Sequence, residues 1–519
     1  MMYLTQGLRR SLQQNPNGIA TICGDRKHTF AQLGERVAKL AGALRELGMR
    51  DNDNIAILSL NSDRYLEYVL AVFWAGGVIN PVNIRWSDAE IVYSLDDSEA
   101  TMLLVDDHFA PAAERFRPQC KTVKHLIHAG DQATPAGMLS YEKMLAAAAP
   151  VEDTLRHDDD LAGLFYTGGT TGFPKGVMLS HTNFWVSAIA FMADELMPPG
   201  AIYLHAAPMF HVADFAQTIV QLMRGGTHVF MPSFNPLGLM EIVAKHRVSD
   251  LMLVPTMIQM LIDHPRVNDF DLGSLQRILF GASPINEAVL DRALKTFPGL
   301  QFMHAYGMTE LAPLITLNPF FNYTPEGRKL GKLNSAGRSS YALEVVIADE
   351  NDKEVPLGAI GQVLVRGGNV MQGYWKKPKE TEEALKDGWM HTGDMAYMDD
   401  DGYIFIVDRL KDMIISGGEN VYSTEVENAL AQHGAVGSCA VIGIPSEQWG
   451  EAVHAVIVIK DGMTVTEVDL IAHCRTLIAG YKCPRSVEFR DALPISGAGK
   501  LLKNALRDPY WKDRKKQVG

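Results

Sequence analysis

Eleven residues, Tyr166–Gly176, hold four glycines, three threonines and a lysine. Glycines let a backbone bend sharply and approach a ligand closely. Consecutive N–H groups in such a turn form a concave anion site. Threonine hydroxyls add donors, and Lys175 adds a point charge suited to phosphate. The stretch reads as a loop that holds a polyphosphate. It is not the P-loop of NTPases, which needs Gly-Lys-Ser/Thr at a helix start; here Pro174 precedes Lys175 and Gly176 follows it. The bland alternative is a flexible surface loop. The apolar, strand-like run Leu161–Phe165 directly before it counts against that.

Five more places carry chemistry-bearing residues. Tyr306-Gly307-Met308-Thr309-Glu310 ends in a carboxylate. A triphosphate repels a carboxylate unless Mg²⁺ lies between them, and Mg²⁺ takes one or two protein carboxylates plus phosphate oxygens; a lone Thr-Glu pair is otherwise a helix start. Thr392-Gly393-Asp394 offers a carboxylate on what reads as a tight turn, able to accept from two vicinal hydroxyls. His211 follows Phe210 at a strand end, where a histidine is ordinarily a packing residue. Ser416-Gly417-Gly418-Glu419-Asn420 again allows close backbone approach, and Leu493–Lys500 places a lysine in the pattern Pro-x₄-Gly-Lys.

Tyr166–Gly176 resembles the phosphate loop of the adenylate-forming superfamily, which includes acyl-CoA synthetases, luciferases and peptide-synthetase adenylation domains. The family has Ser or Thr where this chain has Gly168, which removes one hydroxyl donor. Tyr306–Glu310 matches the family's Tyr-Gly-x-Thr-Glu motif, Asp394 and Arg409 occur in its order and spacing, and Pro494–Lys500 matches its C-terminal catalytic motif. The resemblance runs from about residue 10 to 505.

It implies an acyl-CoA synthetase using ATP, Mg²⁺ and CoA. By resemblance, Thr167, Gly168, Gly169, Thr170, Thr171 and Lys175 hold the phosphates, and Gly281, Ala282, Ser283, Ala305, Tyr306 and Gly307 line the nucleotide site. Thr309 meets phosphate and Glu310 holds Mg²⁺. Asp394 takes the ribose, Arg409 ribose or phosphate. His211 lines and gates the acyl tunnel, Lys411 is the hinge, and Gly417, Gly418 and Glu419 face the pantetheine arm. Lys500 bridges the carboxylate and the α-phosphate, where a cation stabilises developing charge. Lys500, Thr309, Glu310 and His211 form the expected catalytic set. Trp449, Lys482 and Arg485 are either contacts to the CoA nucleotide or surface packing.

Three rivals stand beside this reading. An adenylating enzyme that does not use CoA is opposed by the Gly417-Gly418 loop and by the lack of a long insertion at Lys411. An amino-acid adenylating module needs an acidic residue near His211 to pair with an ammonium, and Asp214 is three residues away. A non-catalytic nucleotide binder is opposed by the joint presence of Lys175, Glu310, Asp394, Arg409 and Lys500. The acid itself is expected to be a straight-chain fatty acid, with a phenylpropenoic or short thioether acid as runner-up. The pocket stretches near Trp185, Phe210–Phe215, Gly281–Ser283 and Met308–Leu314 are mostly apolar, and Val212 and Ala213 are small.

The elements that position these residues follow from periodicity. Thr29 caps a helix whose apolar positions Leu33, Val37, Leu40, Leu44 and Leu47 share one face, closed by Gly48. Ile55–Leu60 reads as a strand, Arg64–Trp74 as a helix and Thr101–Val105 as a strand, whereas 106–160 reads as a looser surface region. A helix from about Thr182 carries Trp185, Ile189, Met192 and Leu196 on one face. Strands follow at Ile202–Ala206, Thr227–Met231, Leu251–Val254, Arg277–Phe280 and Gln301–Ala305, with helices between. Such alternation means a mostly parallel sheet covered by helices, with ligands bound outside the carboxyl ends of the strands.

From about Leu343 the runs become short and alternating. The expected architecture is α/β: a large N-terminal AMP-binding domain over 1–410, with α/β subdomains and a β-rich subdomain at about 343–410, then a small mobile α+β domain over 411–519. At 519 residues, 47% hydrophobic and 21% charged, the composition is that of an ordinary globular chain. A net charge of −13 argues against a nucleic-acid-binding surface. Five dispersed cysteines without a Cys-x-x-Cys pair fit a reducing, cytoplasmic setting. No apolar segment follows Arg9 and Arg10 as in a secretory signal, and the longest apolar run, about Tyr68–Ile79, is too short to span a membrane. Monomer and homodimer are both left open.

Overall fold

Thr29 opens the first long helix through a capping box: its hydroxyl accepts from the Gln32 N–H at 3.2 Å, and the Gln32 side chain accepts from the Thr29 N–H at 2.8 Å. Helix Phe30–Glu46 then buries Leu33, Val37, Leu40 and Leu44, as the apolar spacing predicts. The computed structural model describes residues 1–168, 174–194, 197–283, 285, 287–495 and 501–512. The chain forms two compact units, one of residues 1–345 and 365–390, the other of 346–364 and 391–519.

In the first unit, one sheet runs in the order Arg338–Ser339, Leu314–Asn318, Gln301–Gly307, Arg277–Gly281, Asp250–Leu253, Ile202–His205, Thr227–Phe230, Ile19–Cys23, Arg26–Thr29. A second runs Gly373–Tyr374, Lys175–Ser180, Leu161–Thr167, Val78–Pro81, Asn54–Leu58, Met102–Val105, His125–His128, Leu139–Ser140. Both are parallel inside; the first is antiparallel at both edges and the second only at its Gly373–Tyr374 end, which matches strand–helix alternation. In the second unit, the antiparallel pair Val436–Ser446 and Gly450–Ile459 carries the short strands Ile414–Ser416, Glu419–Val421 and Ser486–Phe489. Helices Ser423–Ala431 and Glu467–Arg475 pack on it around Ile414, Val426, Val441 and Leu470. The α/β class with a smaller α+β C-terminal part is as expected.

Several expectations are corrected. The looser region at 106–160 contains helices Ala110–Phe116 and Tyr141–Ala147 and strand His125–His128, and Phe116 and Ile127 are buried. Its many charged residues misled because they lie on the outward sides of real elements. Helix His181–Ala193 buries Phe184, Ala188 and Phe191, while Ile189 on the predicted face is exposed; from Phe184 on every position but Ser187 is apolar, so the stripe is ambiguous. Leu196 lies outside the described residues. The chain does not pass from the Gly-rich loop directly into that helix: strand Lys175–Ser180 intervenes, antiparallel to Leu161–Thr167.

Candidate active site

The Gly-rich loop closes between two paired strand ends. Thr167 faces Lys175 and Tyr166 faces Gly176 in the antiparallel register. Gly168 is exposed at the loop's start; Gly169, Thr170 and Thr171 lie outside the described residues. Tyr166 is anchored by donating its hydroxyl to Asp97 at 2.7 Å.

Lys175 lies over the ring of Tyr374, its Nζ 5.2 Å from the centroid, a cation–π contact. The Tyr374 hydroxyl donates to Glu310 Oε1 at 2.8 Å. Burial pushes the Tyr374 phenol well above its ordinary range, and the Glu310 charge pushes the same way, so the phenol stays a donor. Tyr374 was not among the sequence-predicted residues, although the Gly-Tyr-Trp run at 373–375 after an alternating strand was a visible signal.

Glu310 sits in the short 3₁₀ turn Thr309–Leu311 after strand Gln301–Gly307, and it is buried. Glycine is required at 307, because a Cβ there would fall 1.7 Å from the Pro313 carbonyl oxygen. That close approach folds the Thr309–Glu310 turn back on the strand end, and the Met308 N–H donates to the same carbonyl at 2.9 Å. Among the described residues, Tyr374 is the one hydrogen-bond partner of the Glu310 side chain. Its second oxygen accepts no hydrogen bond among the described residues. No cluster of three or more His, Cys, Asp or Glu among the described residues forms a resident metal site. One lone carboxylate fits Mg²⁺ that arrives with nucleotide phosphates.

Gly281 and Ala305 face each other in the parallel register of the neighbouring strands, and Tyr306 continues the second. Ala282 takes a left-handed conformation, φ +67°, and Ser283 follows in the same strand-end bend. A groove of about 550 Å³ lined by Phe270, Arg277, Phe297 and Gln301 lies at the amino ends of these strands, the wrong end for the ligand of an open α/β sheet.

His211 is the residue before helix Val212–Arg224, its ring 4.1 Å from that of Phe210. Asn61 pins this loop: its amide donates to the His205 and Ala207 carbonyls and accepts from the Met209 N–H. Ala213 is half-buried on the first helical turn. Asp214 turns inward and accepts from His205 Nδ1 at 2.7 Å and from the Tyr203 hydroxyl at 3.0 Å.

In the second unit, Asp394 is not on a turn. It lies within strand Trp389–Met398, opposite Arg409 of strand Ile404–Arg409. Arg409 Nε is 3.3 Å from Asp394 Oδ1, with Asp394 largely buried and Arg409 half exposed. The Asp394 N–H donates to Thr392 Oγ1 at 3.1 Å. Lys411 follows in the turn after Arg409; its carbonyl accepts from Arg507 at 3.1 Å, and burial lowers its ammonium below the ordinary range. Gly417 and Gly418, with φ of +63° and +84°, form the two-residue turn joining Ile414–Ser416 to Glu419–Val421. Such hairpin turns demand positive φ, so the two glycines have a structural reason of their own. A Cβ on Gly417 would meet the Trp449 ring at 3.0 Å. Arg485 stacks on Trp449 at 5.1 Å, and Lys482 pairs with Glu425 at 2.7 Å. Lys500 lies outside the described residues; Lys503 is largely shielded and paired with Glu427 at 2.8 Å.

A β-rimmed α/β unit with a Gly/Thr loop, a lysine and a lone carboxylate near its strand ends defines a nucleotide-binding enzyme. The AMP-binding enzyme model matches residues 8–375, and the AMP-binding enzyme C-terminal domain model matches 425–500. The chain belongs to the AMP-binding enzyme family, and its resemblance to the acyl-CoA synthetases of the adenylate-forming superfamily is borne out. It is 40% identical over 499 residues to a feruloyl-CoA synthase of Amycolatopsis sp, covering 96% of this chain and 97% of that protein. It is 34% identical over 514 residues to a long-chain-fatty-acid–CoA ligase of Escherichia coli O157:H7, covering 92% and 90%. Among solved structures, ATP-bound MatB of Rhodopseudomonas palustris matches with TM-score 0.88 at 30% identity, covering 99% of this chain and 100% of that one. No described helix is long and apolar enough to cross a membrane.

Proposed function

We propose that the protein is an ATP-dependent acyl-CoA ligase. A carboxylate oxygen attacks the α-phosphorus of ATP, the α–β phosphoanhydride bond breaks, and pyrophosphate leaves. The CoA thiolate then attacks the acyl carbon, the bond to the AMP oxygen breaks, and AMP leaves; the thiol proton passes to solvent. The observation that carries this reading is the arrangement of Lys175, Tyr374 and Glu310 beside the Gly/Thr loop: a cation and a carboxylate, each held ready for phosphate and for Mg²⁺. Lys175 binds phosphate with Thr167 and the loop. Glu310 would hold Mg²⁺, which neutralises phosphate charge as pyrophosphate departs, and Thr309 meets phosphate. Asp394 accepts from the ribose hydroxyls, oriented by Arg409. Lys500 supplies the cation between the carboxylate and the α-phosphate. Catalysis is mainly positioning and charge stabilisation.

For the acid, a phenylpropenoic acid is the better-supported class, because the relatives of higher identity bear that activity in their names. A straight-chain fatty acid is the second reading, favoured by the 34%-identical relatives and by small Val212 and Ala213 beside His211. The use of CoA rests on the family rather than on the glycines of the 416–420 loop, which their hairpin explains. Five cysteines without a disulfide fit a cytoplasmic setting. Pyrophosphate release across a panel of phenylpropenoic, fatty and short acids, each with CoA, with hydroxylamine or with neither, tests all of this. The expected result is CoA-dependent thioester with at least one acid; no release with any acid overturns the reading.

A further inference from the structure

We propose that Tyr374 is a positioning residue that keeps Lys175 and Glu310 from pairing with each other, so that both charges remain available to an incoming nucleotide. The inference rests on the reading that Lys175 takes phosphate and Glu310 takes Mg²⁺.

A lysine and a carboxylate in one half-buried place attract each other strongly, because low surrounding dielectric weakens screening. A direct Lys175–Glu310 ion pair would satisfy both and leave neither for Mg·ATP. No such pair forms among the described residues. Both side chains engage Tyr374 instead: Lys175 meets the ring face at 5.2 Å and Glu310 accepts from the hydroxyl at 2.8 Å. These contacts are weaker than an ion pair. The ring is therefore exchangeable for phosphate, while the hydroxyl holds one Glu310 oxygen and leaves the other to face a metal.

Tyr374 holds this place through the backbone, independently of any ligand. Gly373 and Tyr374 pair with Met178 and Val177 of the strand that begins at Lys175, and the Trp375 N–H donates to the Gly176 carbonyl at 2.7 Å. On the other side, the Met371 N–H donates to the Glu310 carbonyl at 2.9 Å, and the Asn369 amide donates to Leu311 and Leu314 carbonyls at 2.6 and 2.7 Å. One short segment is thus stitched to the strand carrying Lys175 and to the turn carrying Glu310. The Tyr374 ring is the part of it that touches both side chains.

The test is calorimetric binding of ATP to the full chain, in EDTA and in Mg²⁺, with no acid or CoA present. Tyr374→Phe keeps the ring and loses the hydroxyl. It is expected to leave metal-free affinity within about twofold while lowering the enhancement by Mg²⁺ roughly tenfold. Tyr374→Leu removes the ring as well, and metal-free affinity is expected to fall roughly tenfold as Lys175 turns to Glu310. The deciding measurement is a rescue: Glu310→Gln should improve metal-free ATP binding about tenfold more in the Tyr374→Leu background than in wild type. Tyr374→Met repeats the ring deletion if the leucine variant does not fold. Equal effects of Glu310→Gln in the two backgrounds, or wild-type binding by the ring-deleted variant, overturn the inference while leaving the ligase reading intact. Failure of the wild-type protein to bind ATP under either condition overturns the ligase reading, and this inference with it.

Discussion

Asp214 and His205 meet at 2.7 Å with both side chains fully shielded from solvent. The second Asp214 oxygen accepts from the Tyr203 hydroxyl at 3.0 Å, and His205 Nε2 meets His228 Nδ1 at 3.0 Å. Burial and His205 keep His228 far below its ordinary range, hence neutral. Asp214 is thus a structural acceptor inside the unit. The carboxylate that an amino-acid adenylating module would need beside His211 is already committed.

Asp214→Ala leaves two buried donors without an acceptor. It is expected to lower unfolding free energy by about 3–5 kcal/mol, read as a denaturant midpoint shift at constant slope. Wild-type pyrophosphate release with amino acids is expected to stay at background; amino-acid turnover that Asp214→Asn abolishes would refute this assignment.

Glu310→Gln retains an acceptor for the Tyr374 hydroxyl but removes the charge that a metal requires. The fold should persist, and kcat/KM for Mg·ATP should fall about 10²-fold. Steady-state kinetics against free Mg²⁺, with a thermal melt as fold control, checks this; unchanged turnover in a folded variant rules out the metal role.

The two half-reactions should separate by mutation. Lys500→Ala is expected to lose acyl-AMP formation yet convert supplied acyl-AMP and CoA to thioester. Gly417→Trp should do the reverse; its backbone strain at φ +63° is about 1–2 kcal/mol, and its Cβ also presses on the Trp449 ring at 3.0 Å, so a thermal melt serves as the fold control. Lys411→Pro, which fixes φ and removes a donor, should keep adenylation and lose thioester formation if Lys411 is the hinge between two poses. Equal loss in both half-reactions for the first two variants would refute a two-pose cycle.

Ala213→Trp places a large ring on the first turn after His211. Added volume in a filled site costs about 1–3 kcal/mol, so preference should move toward smaller acids. A chain-length and ring-substituent profile identical to wild type would show that this turn does not line the acyl pocket.

His181 is buried, and its Nδ1 accepts from the Leu4 N–H at 3.3 Å. Burial lowers its pKa from 6.5 to about 4. Between those values the unfolded chain binds the extra proton and the folded one does not, so stability rises with pH across that window. This one residue should cost about 3 kcal/mol as pH falls from 7 to 4. Urea unfolding at several pH values checks this, and His181→Asn should flatten that part of the profile.

What the sequence alone determined is what short-range chemistry specifies. The Thr29–Gln32 box, the strand runs, the Gly/Thr loop and the Tyr306–Glu310 motif are read within a few residues, because capping, periodicity and turn chemistry are local. The tertiary structure decided what depends on residues far apart in the chain. Tyr374 reaches Glu310 across 64 positions, and no local pattern encodes that approach. Asp394 was expected on a turn because Thr-Gly-Asp resembles one, yet strand pairing sets it opposite Arg409. Asp214 offers the same charge in either setting; only the arrival of His205 and Tyr203 on a neighbouring strand makes it structural. Gly417 and Gly418 looked like a ligand loop and are also a hairpin turn, since positive φ serves both. The outward face of helix His181–Ala193, apolar from Phe184 on except at Ser187, likewise had no local signature, because burial depends on what packs against it, and that is settled only when the sheets assemble.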